Sequence, residues 1–177
     1  MNAVRLGSCG VSAPVTPQEL LDYLDELGVS HATIDHPPVF TVAEAKRLRG
    51  TLPGGNCKSL FLENKSGEMW LVVLPEDHRA NLDRLAQAFG SKRLSFASPE
   101  RLMEHLGVIP GAVTPLAAIN DPHGKVRVAV AAELLDSETL NFHPLVNHRT
   151  TTISSPDFVR FLEATGHPPL LLRPDQI

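Results

Sequence analysis

Cysteine is scarce in this chain of 177 residues, which contains only Cys9 and Cys57. The two cysteines lie far apart in the sequence and form no C-x-x-C pair. This usage predicts neither a disulfide framework nor a cysteine-rich zinc site, and it is typical of a protein that works in a reducing compartment. We therefore expect a cytoplasmic protein.

The chain also lacks long hydrophobic runs and an excess of basic charge. Its longest apolar stretches, such as residues 69–74, fall well short of the ~18 residues of a membrane span, and its start lacks the apolar core of a secretion signal. The 16 basic residues are outnumbered by 20 acidic ones, which leaves a net charge of −4 and a pI near 6.0. The short apolar stretches lead us to expect no membrane association. Because proteins that bind DNA through a broad basic surface usually have a pI above ~9, we also expect no general DNA binding.

The chain does contain ample apolar material for a core. Hydrophobic residues make up 42% of it and charged residues 20%, and a chain of this length can bury roughly two-thirds of its unfolded surface. Residues 1–15 mix Gly, Ser, Pro and Val without periodicity, so we expect an N-terminal arm there. Residues 16–177 are expected to form a single domain.

Capping signals predict about five helices. Thr16, Pro17 and Glu19 place a capping hydroxyl, a proline and a carboxylate ahead of leucines at helical spacing. Similar signals predict further helices over residues 41–50, 81–89, 98–107 and 155–166.

Strand-like runs lie between these helices, at residues 32–35, 59–63, 69–74, 113–119 and 126–131. Two short segments rich in turn formers predict hairpins, one joining the second run to the third and one joining the fourth to the fifth. Hairpins rather than strict βαβ alternation favour a single α+β domain with a mixed, largely antiparallel sheet flanked by helices.

Lys58 follows a glycine pair at the start of a predicted strand. Residues 54–59 resemble a phosphate-binding loop only superficially, because G-x-x-x-x-G-K-[ST] requires glycine directly before the lysine and Cys57 stands there. The glycine pair could admit a backbone or a ligand, and a solvated lysine on an edge strand is an equally good interpretation of Lys58. Cys57 is not expected to act as a nucleophile, since neighbouring strand residues point to opposite faces and no base is identifiable.

A loop at residues 111–115 is a second candidate. Gly111 permits unusual dihedral angles and Pro115 lacks an amide hydrogen, so unpaired backbone groups there can face a ligand. Such residues more often simply turn the chain.

The histidines predict no metal site. His143 and His148 lie in or beside a polar segment around a proline, but no third ligand lies at useful spacing, and catalytic zinc normally takes three protein ligands. A serine triad is not predicted either, because the chain has no G-x-S-x-G elbow.

Together these segments resemble the YbaK/ProX family of trans-editing deacylases, which are related to the insertion domain of bacterial prolyl-tRNA synthetase. The match covers nearly the whole chain. It rests on His-Pro-Pro-Val-Phe-Thr at 36–41 and the alanines after it, Cys-Lys-Ser-Leu-Phe-Leu at 57–62, the G-x-x-x-P loop at 111–115, and Phe-His-Pro-Leu-Val-Asn at 142–147. Its length and the first and last of these segments are most similar to the branch that removes alanine from proline tRNA.

The resemblance implies an α+β fold, no metal or other cofactor, and hydrolysis of the ester between an amino acid and the terminal adenosine of tRNA. The implied catalytic residues are Lys58, Gly111 and His143. Lys58 would orient the terminal nucleotide as a point charge, the loop at Gly111 would hold the amino group and the ester through its backbone, and His143 would form part of the pocket wall. A ribose hydroxyl of the substrate is implied to assist the attacking water, so positioning would supply most of the catalysis.

A small pocket would admit alanine and exclude larger side chains by their size. The expected partners are the acceptor end of aminoacyl-tRNA and prolyl-tRNA synthetase. The residues expected to bind the substrate are Val39, Thr41, Val113, Thr114, Pro115, Leu116, Phe142 and Asn147. Those expected to contact tRNA are Lys46, Arg47 and Arg49, although a solvated helix face also explains basic residues of this kind.

Two alternatives remain open. The substrate could be Cys-tRNA or another mischarged tRNA, because pocket volume depends on side-chain packing. The chain could also be a binding module for tRNA or a synthetase without chemistry, but the joint presence of Lys58, the glycine-proline loop and His143 favours an enzyme.

Overall fold

The computed structural model describes residues 13–41, 43, 44, 47 and 52–177. Four α-helices are described over their whole length, and each begins after a capping side chain. They are α1 (Pro17–Glu26), α2 (Leu82–Ala88), α3 (Pro99–Leu106) and α4 (Ser155–Ala164). The first three follow the predicted caps, but α4 is capped by Ser154 rather than by Ser155, whose hydroxyl donates instead to the Ser137 carbonyl.

Of the helix predicted over residues 41–50, only its start lies largely within the described residues. The Glu44 carboxylate accepts hydrogen bonds from the amides of Phe40 and Thr41 at 2.9 and 3.1 Å. The Glu44 amide donates in return to the Thr41 hydroxyl at 3.2 Å. This is the predicted capping box, and it fixes the backbone at Phe40 and Thr41.

In the part of the chain that the structure describes, eight strands form one mixed sheet in the order β1-β7-β6-β2-β3-β5-β8, with β4 beside the far end of β2. Four pairings are antiparallel (β1–β7, β7–β6, β2–β3 and β2–β4) and three are parallel (β2–β6, β3–β5 and β5–β8). The expected α+β domain with a mixed sheet flanked by helices is therefore confirmed. The strands are β1 (His31–Asp35), β2 (Gly55–Glu63), β3 (Met69–Pro75), β4 (Ser95–Phe96), β5 (Val126–Ala131), β6 (Thr139–Phe142), β7 (Arg149–Ser154) and β8 (Leu170–Leu172).

The core lies around β3, whose residues from Met69 to Leu74 are all buried. Because side chains alternate between the faces of a strand, both faces of the sheet are covered at β3. Leu20 and Leu24 of α1 and Phe161 of α4 are fully buried in the same cluster. Each such side chain contributes roughly 1.5–3 kcal/mol to folding by leaving water.

Residues 113–119 are not a strand, so that prediction is wrong. Pro115–Asn120 form a 3-10 helix after Thr114, whose hydroxyl accepts a hydrogen bond from the Leu116 amide at 3.3 Å. A short apolar run that is buried on every side has no periodicity that separates strand from helix. The second predicted hairpin is therefore wrong too, and β5 pairs in parallel with β3.

Four strands were not predicted: β4, β6, β7 and β8. In β6 and β7 several buried side chains are polar and form hydrogen bonds with one another. These strands therefore lack the alternation of apolar and polar residues by which a strand is identified in a sequence. The Thr152 hydroxyl donates to the Asn141 side-chain oxygen at 2.6 Å. The hydroxyls of Thr151 and Thr33 lie 2.8 Å apart.

The glycine pair before Lys58 lies against the backbone of β6, since a Cβ atom on Gly54 would lie 3.0 Å from the Thr139 carbonyl oxygen. A Cβ atom on Gly55 would lie 2.8 Å from the Leu140 side chain and 2.9 Å from the Ser137 hydroxyl. Gly55 and Leu140 are Cα partners in the parallel β2–β6 pairing, so β2 begins four residues before the predicted run. Across the described residues, no helix is both long and apolar enough to span a bilayer.

Candidate active site

A pocket of about 280 Å³ lies where β2 and β6 meet the loop before the 3-10 helix and the segment that follows β1. Four segments of its lining contain the motifs found in the sequence. Segment 39–41 forms one wall, β2 contributes Lys58, and Gly111 and His143 stand on two further segments. The three residues expected to be catalytic therefore share one pocket.

Lys58 lies on β2 opposite Leu74 of β3, and its ammonium group donates a hydrogen bond to the main-chain carbonyl of His78. Burial lowers the pKa of Lys58, whereas the nearby carboxylates of Asp77 and Glu76 raise it. Burial is the larger effect, so the pKa of Lys58 lies below its usual value. The lysine is thus fixed in direction and holds a positive charge in a partly desolvated place, where it attracts an anion more strongly than in water.

Glu76 directly follows β3 and is only 7% exposed. Among the described residues that line the pocket it is the one carboxylate. Glu76 was not predicted as a site residue, although an acid at the end of a continuous apolar strand is a usable signal for a site. Its carboxylate, together with that of Asp77, raises the pKa of Lys58 against the larger effect of burial.

Gly111 stands at the third position of a turn from Ile109 to Ala112. The Ala112 amide donates to the Ile109 carbonyl at 3.0 Å, Pro110 occupies the second position and Gly111 has φ +89°. This is the pattern of a type II turn, which requires a positive φ at its third residue. A Cβ atom on Gly111 would lie 3.3 Å from the Phe40 ring, so the turn and segment 39–41 are in close contact.

His143 points its Nδ1 atom at the Arg149 carbonyl oxygen, 2.9 Å away. A carbonyl only accepts, so Nδ1 carries the proton, and Nε2 is the acceptor nitrogen of the neutral ring. The His36 ring lies beside it at 6.2 Å between centroids. The Nε2 atom of His36 lies 2.9 Å from the hydroxyl of Thr150, which also lines the pocket.

Segment 39–41 is attached to the turn between β6 and β7. The amide of His36 donates to the His148 carbonyl at 2.9 Å and that of Val39 donates to the Asn147 carbonyl at 3.1 Å. The Asn147 side chain returns a bond to the Val39 carbonyl at 3.1 Å. Asn147 is therefore a positioning residue behind the wall.

The expected substrate-binding residues divide into two groups. Pro115, Leu116 and Asn147 do not line the pocket; Leu116 is completely buried in the core. Lys46 and Arg49 lie outside the described residues, and Arg47 is exposed. The residues that do line the pocket are Val39, Thr41, Val113, Thr114 and Phe142.

Other lining residues were not expected to bind the substrate, namely Phe40, Cys57, Ser59, Leu60, Glu76, Asn141 and Thr150. The Asn141 side chain donates to the Pro53 carbonyl at 3.1 Å and so ties the loop before β2 to β6. In the described part of the chain, no three His, Cys, Asp or Glu side chains are grouped so that they could hold a metal ion.

The sequence and the fold are similar to those of known proteins. A family profile for the aminoacyl-tRNA editing domain matches residues 36–161. The "Prolyl-tRNA synthetase associated domain-containing protein 1" of Xenopus laevis is 39% identical over 163 residues, which cover 89% of this chain and 96% of that one. The "Prolyl-tRNA editing protein ProX" of Acetoanaerobium sticklandii is 32% identical over 151 residues, which cover 85% of this chain and 92% of that one.

A solved structure named as a candidate trans-editing enzyme for prolyl tRNA synthetase superposes with a TM-score of 0.67. The superposition covers 88% of this chain and 95% of that one at 19% identity, so it supports the fold alone. The family profile spans well over half of the chain, and the relatives are matched over nearly their whole length. The chain therefore belongs to the aminoacyl-tRNA editing family, the YbaK/ProX deacylases.

Proposed function

We propose that this protein removes alanine from mischarged Ala-tRNAPro by hydrolysing the aminoacyl ester. The observation that carries the proposal is the pocket of about 280 Å³ in which Lys58, the Gly111 turn and His143 come together. Family membership supplies the reaction class, and the name of the Acetoanaerobium sticklandii relative supports proline tRNA.

In this proposal Lys58 binds the phosphate of the terminal nucleotide. Its ammonium is held by the His78 carbonyl and sits in a partly desolvated wall, so the charge is preorganised for an anion. The turn at Gly111 presents backbone groups to the amino group and the ester of the substrate. A water molecule adds to the ester carbonyl, the bond to the ribose oxygen breaks, and alanine leaves while the ribose hydroxyl is restored.

Catalysis then rests mainly on positioning, which is worth up to ~7–11 kcal/mol in favourable cases. His143 has a fixed tautomer because its Nδ1 proton is engaged by the Arg149 carbonyl. We assign it to the pocket wall, where it orients the ester through Nε2. A ribose hydroxyl of the substrate assists the water, as the family resemblance implies.

Selectivity for alanine would come from the size of the pocket. Val39 and Phe142 are 3% and 4% exposed and rigidly packed, with the Phe142 ring 4.6 Å from the Phe158 ring between centroids. A rigid wall excludes larger side chains sterically, whereas a pocket that prefers one more methylene gains only ~1–3 kcal/mol. The cognate Pro-tRNAPro would be spared for this reason.

A second candidate substrate is Ser-tRNA. One relative, the "Multifunctional Ser/Thr-tRNA deacylase ProXp-y" of Escherichia coli, is 26% identical over 153 residues, which cover 84% of this chain and 89% of that one. The pocket wall also contains hydroxyl groups, at Thr41, Thr114 and Thr150, that could bond a serine side chain.

The test is hydrolysis of Ala-, Ser-, Cys- and Pro-tRNAPro by the wild type, Lys58→Ala and Lys65→Ala. Lys65 lies exposed in the β2–β3 turn and is a matched control for loss of one positive charge. We expect the wild type and Lys65→Ala to hydrolyse Ala-tRNAPro rapidly and to leave Pro-tRNAPro intact. The rate of Ala-tRNAPro hydrolysis should fall at least about 100-fold in Lys58→Ala, because a charge-assisted contact and the positioning that it provides are lost. Faster hydrolysis of the seryl ester would make Ser-tRNAPro the substrate instead of Ala-tRNAPro. Survival of every ester would favour a binding module without catalytic activity.

Association with prolyl-tRNA synthetase is also part of the proposal, because the names of several relatives refer to that enzyme. Arg47, which is exposed, is proposed to contact the acceptor stem together with Lys46 and Arg49. Co-sedimentation of the purified chain with prolyl-tRNA synthetase, with and without tRNAPro, tests the association.

A further inference from the structure

Phe40 is 67% exposed, although it stands between the buried Val39 and the capping hydroxyl of Thr41. Large apolar side chains that remain exposed at a concave site commonly contact a ligand. Phe40 lines the same pocket as Lys58. An aromatic ring and a phosphate-binding cation therefore share one pocket.

The backbone of Phe40 is rigidly held. Its amide donates to the Glu44 carboxylate at 2.9 Å, and the preceding residue is bonded in both directions to Asn147. The ring itself is supported by the Gly111 turn, because a Cβ atom on Gly111 would lie 3.3 Å from Phe40 Cδ1. An aromatic ring that is fixed before binding loses little conformational entropy when a ligand stacks on it.

We infer that Phe40 is the stacking surface for the terminal adenine of the tRNA, a base-binding subsite on the rim of the pocket. The inference rests on the proposed function. When the ester is inside the pocket and the phosphate is at Lys58, the base attached to the same ribose lies at the pocket mouth. Aromatic side chains bind nucleic-acid bases by stacking on the face of the base, without hydrogen bonds to its edges.

The fold itself does not require an apolar residue at position 40, and a base-binding subsite would explain why phenylalanine stands there. Phe40 is exposed, so its ring contributes little to the core, whereas the neighbouring Val39 is only 3% exposed. A leucine in its place would keep most of the apolar contact with the turn and remove the aromatic face. Phe96, which is 62% exposed on β4 at the other end of β2, is the matched control.

The experiment compares two small esters, 2′(3′)-O-alanyl-AMP and the alanyl ester of 1-O-methylribose 5-phosphate, which lacks the base. Wild type, Phe40→Leu and Phe96→Leu are assayed on both, and on Ala-tRNAPro. We expect Phe40→Leu to lower kcat/KM for the adenosine ester about tenfold, mainly through KM, a typical loss for one stacked base. Its kcat/KM for the base-free ester should stay within about twofold of the wild type, and Phe96→Leu should match the wild type on both.

A second variant gives a readout that does not depend on hydrolysis. The chain has one tryptophan, Trp70, which is 1% exposed. In Phe40→Trp an exposed indole is added at the rim, and titration with AMP should quench its fluorescence saturably while wild-type fluorescence hardly changes.

Equal losses on both esters would overturn the inference, because Phe40 would then shape the pocket rather than bind the base. Unchanged kinetics for Phe40→Leu together with no quenching in Phe40→Trp would overturn it as well. If the wild type hydrolyses no alanyl ester but AMP still quenches Phe40→Trp, the subsite is supported and the proposed deacylation fails.

Discussion

Asn147 and Val39 hold each other through two hydrogen bonds of 3.1 Å, one from the Val39 amide to the Asn147 carbonyl and one from the Asn147 side chain to the Val39 carbonyl. Both residues are buried, at 3% exposure for Val39 and 7% for Asn147. Asn147 therefore fixes segment 39–41, the wall of the pocket that includes Phe40, without lining the pocket itself.

Replacing Asn147 by alanine should lower both stability and activity. The substitution leaves the buried Val39 carbonyl without its side-chain donor, at a cost of about 1–3 kcal/mol in the free energy of unfolding. Urea unfolding should show a lower midpoint at an unchanged m-value, and kcat/KM for Ala-tRNAPro should fall because the wall loosens. Loss of activity at full stability would instead mean that Asn147 contacts the substrate.

Gly111→Ala should damage activity more than its effect on stability explains. The φ of +89° strains any residue with a Cβ, at about 1–2 kcal/mol, and the new methyl group would press on the Phe40 ring. Gly90→Ala is the matched control, because Gly90 has φ +67° and nothing lies within 4 Å of its Cβ position.

Thermal unfolding and deacylation should be measured for both variants. We expect similar losses of stability, but a loss of kcat/KM of tenfold or more, about 1.4 kcal/mol, only for Gly111→Ala. Equal activity in the two variants would remove the turn from the mechanism.

Features of this fold that depend on neighbouring residues could be predicted from the sequence, and those that depend on distant residues could not. Helix starts were predictable because capping is local: Thr16, Asn81 and Ser98 all cap helices as expected. Thr114 followed by Pro115 carries the same kind of signal, but the apolar run after it was interpreted as a strand. The pairing of β6 with β2 could not be predicted, because it depends on side chains that meet across 85 positions, such as Asn141 and Asn56 at 3.2 Å.

The candidate site was predictable to a similar degree. Lys58, Gly111 and His143 were identified by family motifs, and the structure places all three around one pocket. Glu76 was not predicted as a site residue, because an acid at the end of an apolar strand does not show that it lies in the same pocket as Lys58. Asn147 was assigned to the substrate because a polar residue in a motif does not reveal whether it faces the ligand or the chain.

With rising pH, kcat/KM should begin to fall at a lower pH than it would if Lys58 had the usual pKa of a lysine. Burial lowers the pKa of Lys58, so the charged form that the proposed phosphate binding requires is lost at a lower pH than for an ordinary lysine. In Glu76→Gln one of the carboxylates that raise this pKa is removed, so the basic limb of kcat/KM should move to still lower pH.

Lys58→Arg is the informative partner variant, because a guanidinium stays charged throughout. Its residual activity should show no basic limb in this range once spontaneous ester hydrolysis is subtracted. A limb that persists in Lys58→Arg would have to be assigned to another group.

A buried pair away from the pocket predicts how stability depends on low pH. His167 Nε2 lies 3.1 Å from Asp121 Oδ2, and the Val126 amide donates to the same oxygen at 2.7 Å. Burial raises the pKa of Asp121, but the hydrogen bonds from His167 and from the amides of Val126 and Lys125 outweigh burial and hold it below its usual value.

Because the folded-state pKa of Asp121 lies below the unfolded one, the carboxylate adds stability above about pH 4 that is lost as the pH falls through the folded-state value. Asp121→Asn should therefore be less stable than the wild type at neutral pH and should lose less stability on acidification. Urea midpoints measured at several pH values test this, and parallel acid limbs for the two proteins would contradict it.

The pairing of β1 with β7 has a consequence for the order in which the molecule forms. His31 faces Ile153, a separation of 122 positions, and closing so large a loop costs entropy before its contacts repay it. The sheet around β2 and β3 involves a tight turn and can form first. Segment 39–41 follows β1 and is bonded to the turn before β7, so the wall that holds Phe40 near Gly111 would form late. Refolding protein should therefore regain the native fluorescence of Trp70 before it regains deacylase activity.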